Sequence, residues 1–416
     1  MNRRAFLSAL SAGLLAPMRA GILNIEAAPL AIPASFTVGP AVTLVRQAAL
    51  SALGWFWPDS GIGILNNNDG TYVFYASVGG ATRTGAPGRT VGTLANPLSV
   101  SAMEITIGGV QNAPDATIAE ITYQGGGPVY KDPATGRLIL ITHQERLFNP
   151  SFPGLQYYAW LGIATSIDDG LTWTDCGTII TPYHSFEEMD AQYMTLGKGN
   201  GGQYSADIGW GPYVIVGDYM YVYYFHVDGP IQGGNAEYEG GVNAAGSCVA
   251  RALVSDIVTA AASATVPTFH KYHSGAWTEL GIRGRGTPVT PVKTHSYAIS
   301  YNTHRNRYII MSAYGGPLAD RMHFMYRESL DGIAWSDPQY LSVADPPLLP
   351  LHIYWTMVDP DSPVPYETGR TFYLIGKRWD AQAGEVRRWL ITLTGATAPE
   401  PGYQSSLLQR ADRVIE

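Results

Sequence analysis

Two stretches of this chain set an aspartate ahead of the same glycine pattern, Asp59-Ser-Gly-Ile-Gly and Asp207-Ile-Gly-Trp-Gly. An aspartate in such a setting caps the backbone donors of a glycine-rich turn, or it is one member of a pair of carboxylates facing a shared cleft. Paired carboxylates, one protonated and one ionised, are what the cleavage of a glycosidic bond requires. Asp59 and Asp207 are the leading candidates for such a catalytic pair, with the roles inside the pair left open. Glu145, in the run His143-Gln-Glu145-Arg146 that ends an apolar stretch, is the alternative acid.

The candidate substrate-binding residues are more scattered. His143 neighbours Glu145. His184 and Asp190 lie in Tyr183-His-Ser-Phe-Glu-Glu-Met-Asp190, a polar and aromatic segment unlike a strand, expected as a loop over the rim of a cleft. His295 and His352 open apolar runs, where they suit sugar hydroxyls or an ion. Trp55, Trp57, Trp210 and Trp355 flank the blade heads and suit stacking on sugar faces. Each has a plain alternative, a satisfied structural histidine or a core indole. Nucleotide-binding glycine loops, the His-Glu-x-x-His zinc motif and the Gly-x-Ser-x-Gly elbow are absent, which leaves those chemistries unsupported. Cys176 and Cys248 are the only cysteines, so there is neither a disulfide framework nor a cysteine-rich metal site, and a single bond between them stays open.

The elements that must position these residues read as strands. From Trp57 onward five units recur, each a polar or glycine-rich head, an apolar strand, a turn, and a strand dense in Tyr, Phe, Val and Ile. The turns include Asn68-Asp69-Gly70, Asp132 to Gly136, Gly217-Asp218 and His304-Arg-Asn. Five sheet-like units predict an all-β fold, a five-bladed β-propeller formed by residues 35–416 as one domain. The strand-rich stretch Phe36 to Leu44 is expected to pair with the last blade and close the ring, removing an exposed edge. Inner strands that start at the channel put Asp59 and Asp207 on the heads of blades 1 and 3, with Tyr123 in the same register of blade 2.

Residues 1–34 read as an export signal peptide. Arg3-Arg4 followed by Phe6-Leu7 and an apolar, small-residue run resembles a twin-arginine export signal, with an ordinary secretory signal as the alternative, and cleavage is expected between Ala20 and Ser35. The expected location is periplasmic or secreted. A net charge of -8 argues against nucleic acid, and against an anionic membrane once the signal is removed. The expected partners are a carbohydrate substrate and the export machinery.

Ser166-Ile-Asp168-Asp-Gly170-Leu-Thr-Trp173 carries every fixed position of the Asp-box pattern S-x-D-x-G-x-x-W, and Ser329-Leu-Asp331-Gly332-Ile-Ala-Trp335 is a shortened relative. With the Asp59 head, the Val249-Ala-Arg251-Ala run leading to Phe269-His-Lys-Tyr-His and Trp277, and the stretch Ser329 to Pro338, the chain from Trp57 to Leu393 resembles the five-bladed propeller glycosidases. These are the family 43 arabinanases and xylosidases and the bacterial endo-D-arabinanase group. The resemblance implies an exported glycoside hydrolase, with the Asp-boxes as structural hairpins at the blade periphery. A polysaccharide lyase using His and Tyr, or a non-catalytic propeller that binds glycans or proteins, are the alternatives. The endo-D-arabinanase group ends its first blade in Phe-Gly-Asp-Thr where this chain has Phe74-Tyr-Ala-Ser77, and the sialidase Arg-Ile-Pro signature is missing. Relatives in family 43 often hold a channel calcium, which the resemblance allows; the residues themselves predict no cofactor and no metal ligands.

Overall fold

The computed structural model describes residues 36–79, 86–148, 156–196, 204–209, 211–230, 246–290, 297–315, 321–344, 351–379 and 384–394. Within them the five units form five antiparallel blades. Blade 1 comprises Gly63–Asn66, Tyr72–Ser77, Pro87–Thr93 and Asn96–Glu104; blade 2 comprises Ile121–Lys131, Leu138–Leu147, Gln156–Ser166 and Trp173–Ile180. Blade 3 has a divided inner strand, Tyr204–Gly209 and Tyr213–Val216, followed by Tyr219–Pro230, Gly246–Leu253, His270–His273 and Ala276–Leu280. Blade 4 comprises Ala298–Asn302, Arg307–Gly315, Arg321–Ser329 and Gln339–Ala344, and blade 5 Leu351–Val358, Thr371–Trp379 and Val386–Leu393. The segment expected to be an export signal, residues 1–34, lies outside the described residues.

Why the strands read as continuous apolar runs follows from the packing. Five hydrophobic clusters each lie between two successive blades, for example Ile141, Leu161, Val222 and Ala250 between blades 2 and 3, and Phe74, Val78, Val358 and Ile375 between blades 1 and 5. A blade is therefore covered on both faces, so its strands need not alternate apolar with polar. Where inner strands nearly touch, only glycine fits: a Cβ on Gly127 would overlap the carbonyl oxygen of Gly61.

The ring is closed by the start of the chain. Phe36 pairs with Leu393 and Val38 with Ile391, and farther along the same strand Val42 pairs with Arg388 and Val45 with Val386. Blades 2 and 3 are also joined by main-chain pairing, because Gln156 to Ala159 run parallel to Tyr204 to Asp207.

The two Ser/Asp hairpins share one pattern of bonds. Ser166 Oγ accepts from Gly170 N–H at 3.0 Å and donates to Asp168 Oδ1 at 2.7 Å, and Ser329 does the same with Gly332 N–H at 2.9 Å and Asp331 Oδ1 at 3.0 Å. Gly170 and Gly332 have φ of 74° and 75°, a conformation favourable to glycine. Both hairpins link the third and fourth strands of a blade at the end opposite the inner-strand starts.

One segment departs from the sequence reading. The expected rim loop at Tyr183 to Asp190 is largely a helix, Phe186–Leu196. Its start is a reciprocal cap, in which Ser185 Oγ accepts from Glu188 N–H at 3.2 Å and Glu188 Oε2 accepts from Ser185 N–H at 2.7 Å. Ser-x-x-Glu is the sequence signature of such a start. Cys176 and Cys248 are both buried, and no disulfide joins them.

Candidate active site

The axis of the propeller is nearly filled. Gly61 to Ile64, Pro128, Val129, Pro212, Tyr213, Tyr297 to Ile299 and Trp355 to Met357, one group from each blade, line a cavity of about 60 Å³. That is far below the ~300–1,000 Å³ of small-molecule sites, so this cavity is too small to enclose a sugar chain. The lining offers no carboxylate, and among the described residues no group of three His, Cys, Asp or Glu side chains is placed to hold a metal ion. The calcium that the resemblance allows finds no ligand set in this lining.

The inner strands begin at one mouth of the propeller. Asp59 sits there, almost wholly buried at 6% exposure. Its N–H is tied to Ser77 O at 2.8 Å, and Phe56 N–H to Val78 O at 2.7 Å, which seats the head against the end of blade 1's second strand. The carboxylate receives two phenol hydroxyls, Tyr354 of blade 5 on Oδ1 at 2.8 Å and Tyr123 of blade 2 on Oδ2 at 3.1 Å. Both oxygens of the carboxylate are thereby held in place, one from each neighbouring blade.

Tyr354 reaches Asp59 from an unusual backbone. Its φ is 62°, rare for a bulky side chain, and the pairing of its strand with Thr371–Trp379 slips between Ile353 and Thr356. The bulge re-aims the ring toward the axis, and such a conformation persists only where the surroundings hold it. Gly125 makes room for the other donor, since a Cβ there would crowd the hydroxyls of Ser77 and Tyr123.

Tyr123 continues the site outward. Its ring meets the His143 ring edge-on, with centroids 5.9 Å apart, and His143 Nε2 lies 3.1 Å from Glu145 Oε1. Glu145 is 5% exposed. The result is one contiguous array, Tyr354, Asp59, Tyr123, His143 and Glu145, contributed by blades 5, 1 and 2.

Asp207 is in register with this array. Tyr123 pairs with Glu145, Glu145 with Ala159, and Ala159 with Asp207, a transverse row across four strands. Asp207 is thus two strands from Glu145, about 10 Å between Cα positions at the ~4.8 Å strand spacing, and the described part of Asp207 is its main chain. The row also sets Asp207 beyond the third strand of blade 2.

The remaining candidates are dispersed. His184 stands at the start of the capped helix, its Nδ1 3.7 Å from Glu188 Oε2 and its ring against Tyr183. Asp190 is half-buried on the same helix, and burial raises its carboxyl above the usual range. Trp355 is buried between His352 and Trp389, with ring centroids 5.8 and 5.6 Å away, and Trp55 and Trp57 are core residues of the seam between blades 5 and 1. Trp210 and His295 lie outside the described residues.

The sequence reading missed Tyr354 as a partner of Asp59. Nothing local marks it, because it is one aromatic among several in Ile353-Tyr-Trp-Thr-Met-Val and its partner lies 295 residues away in the chain. It also missed His226 in blade 3, a fully buried imidazole whose pKa burial holds down at about 3, with Lys271 and His184 adding to the effect.

Fold and site together define a five-bladed β-propeller with a buried, phenol-bound carboxylate at one mouth. No protein-family model matches the sequence, and no curated protein matches it. The chain is similar in fold to a solved protein of unknown function from Dyadobacter fermentans, at 10% identity and TM-score 0.42 over 80% of this chain and 76% of that one. It is similar to a levansucrase of B. megaterium at 10% identity and TM-score 0.47, over 87% of this chain and 84% of that one. It is similar also to an exo-β-1,3-galactanase from Clostridium thermocellum at 12% identity and TM-score 0.44, over 88% of this chain and 65% of that one.

Proposed function

We propose that this chain is a glycoside hydrolase acting on a poly- or oligosaccharide at the mouth where the inner strands begin, and, from the Arg3-Arg4 leader, that it acts outside the cytoplasm. The observation that carries the reading is the Tyr354–Asp59–Tyr123–His143–Glu145 array. Asp59, held by two phenol donors, acts as base or nucleophile; Glu145, beside His143, is the proton donor to the leaving oxygen. Asp207, in register two strands away, is assigned to substrate contact at the edge of the site.

The test is a panel of neutral and acidic polysaccharides assayed for new reducing ends. Asp59→Asn and Glu145→Gln are each expected to lower kcat by ~10²–10⁴-fold, the range for a lost acid or base, with the cooperative unfolding transition retained. Asp207→Asn is expected to act mainly on KM. Wild-type turnover in either of the first two variants would overturn the assignment.

One observation favours a second reading. Tyr123 and His143 are themselves in ring contact inside the array, and a Tyr/His pair is an acid and base for lyase chemistry on a uronate. Ultraviolet absorbance from unsaturated uronates, in place of hydrolytic products, would select it.

A further inference from the structure

We propose that Lys377 is the positioning residue of the Asp59 head, an inference that rests on the reading of Asp59 as a catalytic carboxylate. Lys377 belongs to Thr371–Trp379 of blade 5 and is fully buried, at 0% exposure. Its ammonium donates to the main-chain carbonyls of Phe56 at 3.0 Å and Pro58 at 3.3 Å, and it lies 3.1 Å from the centroid of the Phe56 ring. An ammonium taken out of water is costly unless its partners compensate. Here those partners are the main chain of the segment that ends in Asp59.

That segment is tied along both edges. The N–H groups of Phe56 and Asp59 bond to blade 1, at Val78 O and Ser77 O, and the carbonyls of Phe56 and Pro58 bond to Lys377 of blade 5. The same pair of blade 5 strands supplies Tyr354, since Ile353 pairs with Lys377 and the bulge begins at Ile353. One strand pair therefore holds the backbone of the head and delivers a donor to its carboxylate. Lys377 keeps Asp59 in register with Tyr354 across the seam where the ring closes, and it places a fixed positive charge one residue from Asp59.

Lys377→Met removes charge and donors at similar length; Lys377→Gln keeps a donor without the charge. Both are measured for kcat, KM and amide hydrogen exchange against wild type and Asp59→Asn. Expected in Lys377→Met are a ~10²-fold fall in kcat, the effect of about 1 Å of misplacement, with KM within about threefold, and an Asp59 amide that exchanges at least ~10-fold faster relative to the Tyr224 amide of blade 3. The Gln variant is expected to fall between Met and wild type, and it decides alone if the Met variant does not fold. Activity that survives Asp59→Asn sinks the assignment of Asp59. Activity lost in Asp59→Asn and retained in Lys377→Met sinks this inference. If wild type cleaves nothing in the panel, the exchange measurement still decides, and an unchanged Asp59 amide overturns the role of Lys377.

Discussion

The hydroxyl of Tyr223, in blade 3, donates to the carbonyl oxygen of Gly332, in the hairpin of blade 4, at 2.6 Å. The same relation recurs two blades earlier, where Tyr75 of blade 1 donates to Asp169 O of the blade 2 hairpin at 2.8 Å. Each tyrosine also meets the tryptophan of its hairpin edge-on, Tyr223 with Trp335 and Tyr75 with Trp173. The hairpins are thus latches between blades. Tyr223→Phe leaves a buried carbonyl without its donor and is expected to cost ~1–2 kcal/mol, read as a lower urea midpoint at unchanged slope. Tyr75→Phe should cost less, because Arg89 Nε also donates to Asp169 O, at 3.0 Å.

The phenols at Asp59 differ in length and setting. Removing the 2.8 Å donor in Tyr354→Phe withdraws a charge-assisted bond worth ~1.5–3 kcal/mol, which corresponds to ~10–100-fold in kcat. The Tyr123→Phe effect is expected to be smaller, given its 3.1 Å bond. Steady-state kinetics on the best panel substrate give the order, and a larger effect at Tyr123 would contradict it.

His226 makes stability depend on pH. Its folded pKa, about 3, lies below the unfolded value of about 6.5. Between these values the unfolded chain binds a proton that the folded chain does not, so stability falls as pH drops from 6.5 toward 3, by up to ~1.4 kcal/mol per pH unit from this group. In His226→Gln the unfolding free energy, measured by urea at several pH values, should lose about one proton's worth of slope over that window.

Asp168 acts at lower pH. Hydrogen bonds from Thr172 and Ser166 hold its carboxyl down at about 2. A depressed folded pKa gives stability that is present above the unfolded value near 3.9 and is lost as pH falls toward 2. Asp168→Asn is expected to lose this group's share of that fall, with the rest staying with other lowered carboxylates such as Asp69 and Glu120, in thermal unfolding scans at pH 4, 3 and 2.

Much of the architecture is legible in sequence because its cues are local. Asn68-Asp69-Gly70 and Asp132 to Gly136 sit where strands turn, and the apolar stretch from Phe36 pairs with the last strand, as ring closure demands. The helix at Phe186 was legible as well: the Ser185/Glu188 cap is written in the sequence, and the polar composition around it masked the signal. The site is less so. Asp59 stands out by its glycine pattern, but Tyr354 and Lys377 are about 300 residues away along the chain and act through a bulge and main-chain carbonyls, which no residue pattern encodes. The row that sets Asp207 beyond blade 2 arises from a parallel pairing between blades that no local turn announces.

Because blade 5 is finished by Phe36–Val38 and Val42–Val45, the first described strands of the chain wait for the last. During synthesis, blades 1 and 2 are complete while Tyr354 and Lys377 are still unmade, so a nascent or truncated chain carries Asp59 without the seam that holds it. Catalytic competence, on the reading proposed, arrives only when the chain has been made through Val386–Leu393 and the circle shut, and a fragment that lacks blade 5 should be inert however well its other blades are folded.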